Sequence, residues 1–218
     1  MYDDFTKRVV LTNHSKPGTV VLIEPDSGTI TGQVELEDNS PEGAASDGKG
    51  KLYVNLERKN EIQVIDAKAM KSLAVWSLDS CDGPTGIAYD RETDRIFSGC
   101  GGTSPVVNAT TGKIVSLLKN GDGVDALGWD PVEKLIYIPA GRDSNVTVVH
   151  EDSPDKYTVV ATVPTARGAK TISVDPVTHT AYLFQPTYGP PPADAKPDAR
   201  GRMPRGPITG AYLYVITH

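Results

Sequence analysis

The chain has 218 residues, a formal charge of −6 and a sequence pI near 5.2, long enough for one large domain with a sizeable core. That acidity disfavours whole-surface attraction to nucleic acid and leaves only a local basic patch. No apolar run reaches membrane-spanning length, the acidic opening MYDDFTKRVV is no visible signal peptide, and two cysteines are too few for a disulfide scaffold.

Taken in order, the chain reads as short strands separated by turn residues, with 21 Gly and 17 Pro spread along it. Asp3 and a strand over 7–13 follow Met1 at once, so the innermost strand of the first unit is almost absent; 18–24 and 30–36 supply its other strands. The stretch 41–78 is the clearest unit. A small-residue strand, GAAS, precedes the apolar runs LYVNL, IQVID and LAVWSL, and Asp47-Gly48, Lys59-Asn60 and the segment 66–71 make the turns. The third unit runs GPTGIAYD, RIFSGC, PVVNATTG, KIVSLL, and the fourth runs VDALGWD, KLIYIPAG, NVTVVHED, YTVVATV. The fifth begins AKTISVD and TAYLFQP, makes a Pro-rich excursion over 187–207, and closes with AYLYVITH.

One phrase recurs. Asp3, Asp47, Asp90, Asp130 and Asp175 lie 44, 43, 40 and 45 residues apart, and each opens a turn followed six or seven residues later by Val10, Tyr53, Phe97, Tyr137 or Tyr182. Four strands at that period predict an all-β fold, a β-propeller of about five four-stranded blades, as one domain over 1–218. The blades fall near 1–37, 38–79, 80–120, 121–164 and 165–218. A β-sandwich is the competitor, but it has no reason to repeat an Asp-turn-aromatic phrase at one period. The first blade lacks an inner strand and the last an outer one. The chain is therefore expected to be a piece of a larger propeller or to self-associate through its open blade edges.

The inner strands carry a second pattern. Two and four residues before the anchor Asp the side chains are small, and one and three before it they are mostly larger, as in Tyr89 and Ile87 or Trp129 and Leu127. Alternation puts the two sets on opposite faces, as blade-on-blade packing near a crowded axis requires. Five before the anchor stand Glu42, Thr85, Asp125 and Lys170, where the strands enter at the mouth of a central channel.

The phrase GKLYVNLERKNEIQVIDAKAMK resembles the YVTN repeats of YncE-like bacterial β-propellers, and the stretch from GVDALGWDP to HTAYL resembles that family's final blades. The Pro-rich segment before a last short strand is also similar to that family. The resemblance implies a seven-bladed ring, usually periplasmic or secreted. Five anchors then imply an N-terminally truncated member short of about two blades.

Chemistry is expected at the channel mouth. Glu42, Asp82, Asp122 and Asp125 offer oxygen ligands for a divalent cation, Ca²⁺ above others, although the NGDGVD run lacks EF-hand spacing. Such a cation would activate water, with Asp125, Lys170 and Arg167 as the catalytic set and the two cations steadying a developing anion. His14, Arg58, Thr85 and Arg142 are candidate ligand-binding residues. The histidines do not converge, and no HExxH, GxSxG or phosphate-loop pattern occurs. Cys81 and Cys100 sit at one end of the third blade, where a disulfide is plausible if the protein is exported; a nucleophilic cysteine is less favoured, with no histidine clearly beside either. The excursion 187–207 carries Lys196, Arg200, Arg202 and Arg205 and reads as an exposed insertion or strap, a lid, or a basic arm.

The favoured function is a binding module presenting the channel mouth and the Pro-rich arm to a small-molecule or protein partner. A metal-assisted hydrolase of activated esters or phosphoesters, phosphotriesterase- or lactonase-like, is the alternative. Single-stranded nucleic-acid binding through the arm comes third, since the basic run lacks interleaved aromatics.

Overall fold

The computed structural model describes residues 1–197 and 203–217. It is all β. Blade 1 consists of β1 (Tyr2–Asp3), β2 (Arg8–Asn13), β3 (Thr19–Ile23) and β4 (Ile30–Glu35), and blade 2 of β5 (Pro41–Ser46), β6 (Lys51–Leu56), β7 (Glu61–Asp66) and β8 (Lys71–Ser77). Blade 3 holds β9 (Ile87–Asp90), β10 (Arg95–Ser98), β11 (Thr103–Asn108) and β12 (Ile114–Lys119). Blade 4 holds β13 (Gly128–Asp130), β14 (Leu135–Ala140), β15 (Asn145–Ser153) and β16 (Lys156–Pro164). Blade 5 has three strands, β17 (Thr171–Asp175), β18 (Thr180–Tyr188) and β19 (Ile208–Ile216). Every sheet is an antiparallel meander, and together they make a β-propeller of five blades. The first blade keeps a two-residue inner strand, and the fifth lacks an outer strand among the described residues, as the repeat arithmetic predicts.

The repeated aspartate is a turn device. Its carboxylate accepts backbone N–H groups of the turn it opens: Thr6 for Asp3, Lys49 and Lys51 for Asp47, Glu92 and Thr93 for Asp90, Val132 and Glu133 for Asp130, and Val177 for Asp175. Such Asx bonds offer the chain a local alternative to the sheet ladder. Four of the turns then pass through a left-handed residue, Lys7, Asp94, Lys134 or His179. The second turn is one residue shorter and uses Gly50 at φ 118°, a conformation glycine adopts without steric cost. That accounts for the spacing of six rather than seven before Tyr53.

Packing lies between blades. Four apolar clusters join blade 1 to 2, 2 to 3, 3 to 4 and 4 to 5. Small inner-strand residues let the next blade approach: a Cβ on Gly43 would meet Thr85 O and Ile87, and one on Gly128 would meet Val174 and Ile172. The larger alternate residues fill the other side of the contact. Tyr53 and Tyr89 stack with ring centroids 5.3 Å apart, and Phe97 and Trp129 lie 4.9 Å apart. Aromatic pairs at such separations add about 0.5–1.5 kcal/mol beyond the area they bury.

Candidate functional site at the channel mouth

A cleft of about 670 Å³ opens where the inner strands begin. Blade 2 lends it Glu57 and blade 3 Thr85; Asp125 and Arg142 come from blade 4, and Arg167, Lys170 and Gln185 from blade 5. Five of the sequence-predicted residues, Thr85, Asp125, Arg142, Arg167 and Lys170, therefore share one cavity, because strand entry and the loop after the second strand fall at the same end of every blade.

One ion pair lies within the cleft and a second joins it to a residue beside it. Lys170 Nζ donates to Asp125 Oδ1 at 2.8 Å, bridging blades 5 and 4. Arg142 Nη1 lies 3.7 Å from Asp122 Oδ2. The Thr85 hydroxyl faces Gly99 O and Val124 O at 3.3 Å each, so it braces the strand entry. Glu42 is held above the ordinary carboxylate range by burial and then by the charge of Glu57, with Asp125 adding to this and His14 and Lys170 opposing it. Its neighbour His14 is exposed on blade 1, with Nε2 2.8 Å from Pro41 O and 3.4 Å from Glu42 Oε1. Arg58 is exposed outside the cleft, and only its backbone N–H is engaged here, donating to Asp38.

The four carboxylates proposed as metal ligands do not gather. Asp82 is exposed and Asp122 turns toward Arg142. Among the described residues no group of three or more His, Cys, Asp or Glu is arranged to hold a metal ion. Of the histidines, His150 pairs with Asp152 and His179 with Asp130, away from the cleft, while His218 lies outside the described residues.

Three lining residues were not singled out by sequence. Glu57 directly precedes Arg58, and its Oε2 accepts from Ser40 Oγ at 2.8 Å. Gln185 is buried; its Nε2 donates to Arg167 O and Pro186 O, and its Oε1 has no partner. Tyr188 accepts a 2.8 Å hydrogen bond from Arg205, whose guanidinium also sits 4.8 Å from the ring centroid. Arg205 thereby brings the Pro-rich arm to the cleft's edge. Arg200 and Arg202 of that arm lie outside the described residues. Cys81 and Cys100 form a disulfide in blade 3, so neither is a nucleophile in this state.

No protein-family model and no curated protein sequence matches the chain. Solved structures do. Kuenenia stuttgartiensis hydrazine synthase aligns with a TM-score of 0.72 and 17% identity over 94% of this chain. A chain of the mitotic checkpoint complex aligns at 0.68 with 19% identity over 80%, and the WD40 repeats of RRP9 at 0.69 with 9% identity over 81%. This chain spans 64%, 55% and 56% of those chains. The likeness is one of fold: the chain is a β-propeller, and no family model or sequence relative supports the narrower YVTN-type assignment.

Proposed function

We propose that the protein is a binding module whose channel mouth takes an acidic segment of a protein partner. The observation that carries this reading is the composition of the cleft. Lys170 is held by Asp125, while the exposed guanidinium groups of Arg142, Arg167 and Arg205 border the same cavity. Guanidinium groups pair with carboxylates in bidentate geometry and favour protein contacts. The WD40 neighbour and the neighbour within a checkpoint complex support a protein partner by architecture alone.

Fluorescence-anisotropy titration with peptides of equal length and acidic, neutral or basic composition tests it. The acidic set should bind best, and Arg142→Glu combined with Arg167→Glu should weaken it at least tenfold while leaving thermal unfolding unchanged. No preference among the three sets would overturn the reading. Chelator-sensitive hydrolysis of activated esters, abolished by Asp125→Ala, would overturn it in favour of a metal-assisted hydrolase. The Cys81–Cys100 disulfide further supports an oxidising, extracytoplasmic setting; thiol labelling of the protein in intact cells would reveal free cysteines if that setting is wrong.

A further inference from the structure

The cleft at the channel mouth carries charge on both sides, and the two signs come from different blades. Arg142, Arg167 and Arg205 border it from blades 4 and 5, and Glu57 borders it from blade 2. Asp125, the other carboxylate lining the cleft, accepts from Lys170. Glu57 has no such cation. Among the described residues its carboxylate meets only the Ser40 hydroxyl, and it forms no ion pair with any of the three arginines. Glu42 stands close to it: burial, and then the charge of Glu57, raise the proton affinity of Glu42, and His14 and Lys170 offset this only in part. The blade 2 side of the mouth is therefore short of positive charge.

The loop that carries Glu57 is fixed by the protein itself. Asp38 is buried, and its two oxygens accept the backbone N–H groups of Ser40 and Arg58. Glu57 N donates to Ser40 O at 3.1 Å, and Ser40 Oγ donates to Glu57 Oε2 at 2.8 Å. One carboxylate oxygen is thus held in place while Oε1 carries no hydrogen bond. Such support is what a recognition group needs to keep its direction. The repeat does not call for an acid here. Four residues after Val10, Tyr53, Phe97, Tyr137 and Tyr182 stand His14, Glu57, Gly101, Gly141 and Pro186. The same turn forms in four blades without a carboxylate, so Glu57 answers to something other than the fold.

We infer, on the reading above that the mouth takes an acidic segment, that this segment is dipolar: beside the acidic residues taken by the arginines it carries a lysine or arginine whose charged end is held by Glu57. Opposite charges fixed on separate walls orient a segment and set its register, and complementary charge acts on specificity more than on raw affinity. A uniformly acidic segment satisfies the arginines but brings its own charge against Glu57, which counts against the wrong partner. Glu57 is thereby the specificity-determining residue of the mouth.

Fluorescence anisotropy with one family of peptides and the full chain tests it. The parent peptide is uniformly acidic, and each member replaces a single glutamate, at successive positions, by lysine or by glutamine. At one position or two neighbouring ones lysine should bind about three- to fivefold more tightly than glutamine, the upper range for a partly exposed ion pair. Glu57→Gln should bring that ratio to about one, Glu57→Asp should restore part of it, and Glu57→Lys should invert it. Each ratio is taken within one protein, so a general loss of affinity cannot imitate the result, and matched thermal unfolding shows that the variants fold. Lysine that nowhere exceeds glutamine, while acidic peptides still outbind neutral and basic ones, would overturn this inference alone. A ratio that survives Glu57→Gln would overturn it as well. Acidic peptides that bind no better than neutral ones would overturn the underlying reading of the mouth, and the inference with it.

Discussion

His179 Nδ1 donates to Asp130 Oδ2 at 2.9 Å, tying the turn of blade 5 to the turn anchor of blade 4. Asp130 is fully buried, and it also accepts the N–H groups of Val132 and Glu133. Burial raises its proton affinity, but the His179 bond and the two backbone donors outweigh it and hold the carboxyl below its usual value of 3.8. A carboxylate lowered in the folded state contributes stability above its unfolded pKa and loses it as pH falls through the folded one. Asp130→Asn should therefore cost roughly 1.5–3 kcal/mol near neutral pH, the range for hydrogen bonds to charged groups. The gap from wild type should narrow as pH drops below 3.8. Urea unfolding across a pH series measures both; a gap independent of pH would refute the coupling.

Glu151 runs the other way. It is buried, with Oε1 3.2 Å from both Thr93 Oγ1 and Tyr157 Oη, while Oε2 has no partner. Burial, then the charge of Asp90, pushes its pKa above 4.5. The folded state thus binds the proton more tightly than the unfolded chain, so stability falls as pH rises from 4.5 through the folded value. Glu151→Gln removes that charge and should stabilise the protein by about 1 kcal/mol at pH 7, with the advantage fading as pH falls through the folded value and gone by pH 4.5. Thermal unfolding at neutral and acid pH is the check, and destabilisation at neutral pH would count against it.

The anchors were legible because each turn is local: the aspartate, the N–H groups it caps, the left-handed residue and the aromatic lie within eight positions. Periodicity then placed Thr85, Asp125 and Lys170 at one mouth, since equivalent positions in a propeller share an end. What escaped depended on closure between blades. Gln185 reaches the cleft only once blade 5 docks on blade 4, and nothing local marks Glu57 apart from Arg58 beside it. The proposed carboxylate ring failed to gather because sharing an end does not fix direction; Asp122 turns to Arg142 while Asp125 turns to Lys170.

Two glycines that look alike in the sequence should behave differently. A Cβ on Gly86 would stand 2.3 Å from Leu127 N and 2.4 Å from Ala126 C, both backbone atoms of the next blade. Neither can yield without moving the strand, so Gly86→Ala should cost about 3 kcal/mol or more. The nearest atom to a Cβ on Gly128 is a methyl of Val174, at 2.6 Å. That side chain can rotate, and Gly128→Ala should cost about 1–2 kcal/mol. Equal losses in chemical denaturation would show that the inner strands are not the rigid contact.

The Cys81–Cys100 bond ties the entry of β9 to the exit of β10, closing a loop of 19 residues in sequence. Both sulfurs are buried in the cluster between blades 2 and 3, so the crosslink braces a blade interface as well as a loop. A loop of that length corresponds to about 3 kcal/mol in the chain-entropy treatment. For a chain of this size that is a fall in Tm of about 6–12 °C on reduction. The Cys81→Ser/Cys100→Ser double variant should unfold at the lower temperature with or without reductant, since only the covalent link responds to it. Differential scanning calorimetry with and without dithiothreitol separates the cases. A wild type indifferent to full reduction, verified by thiol titration of the unfolded chain, would mean that apolar packing between blades 2 and 3 carries the stability and the disulfide adds none.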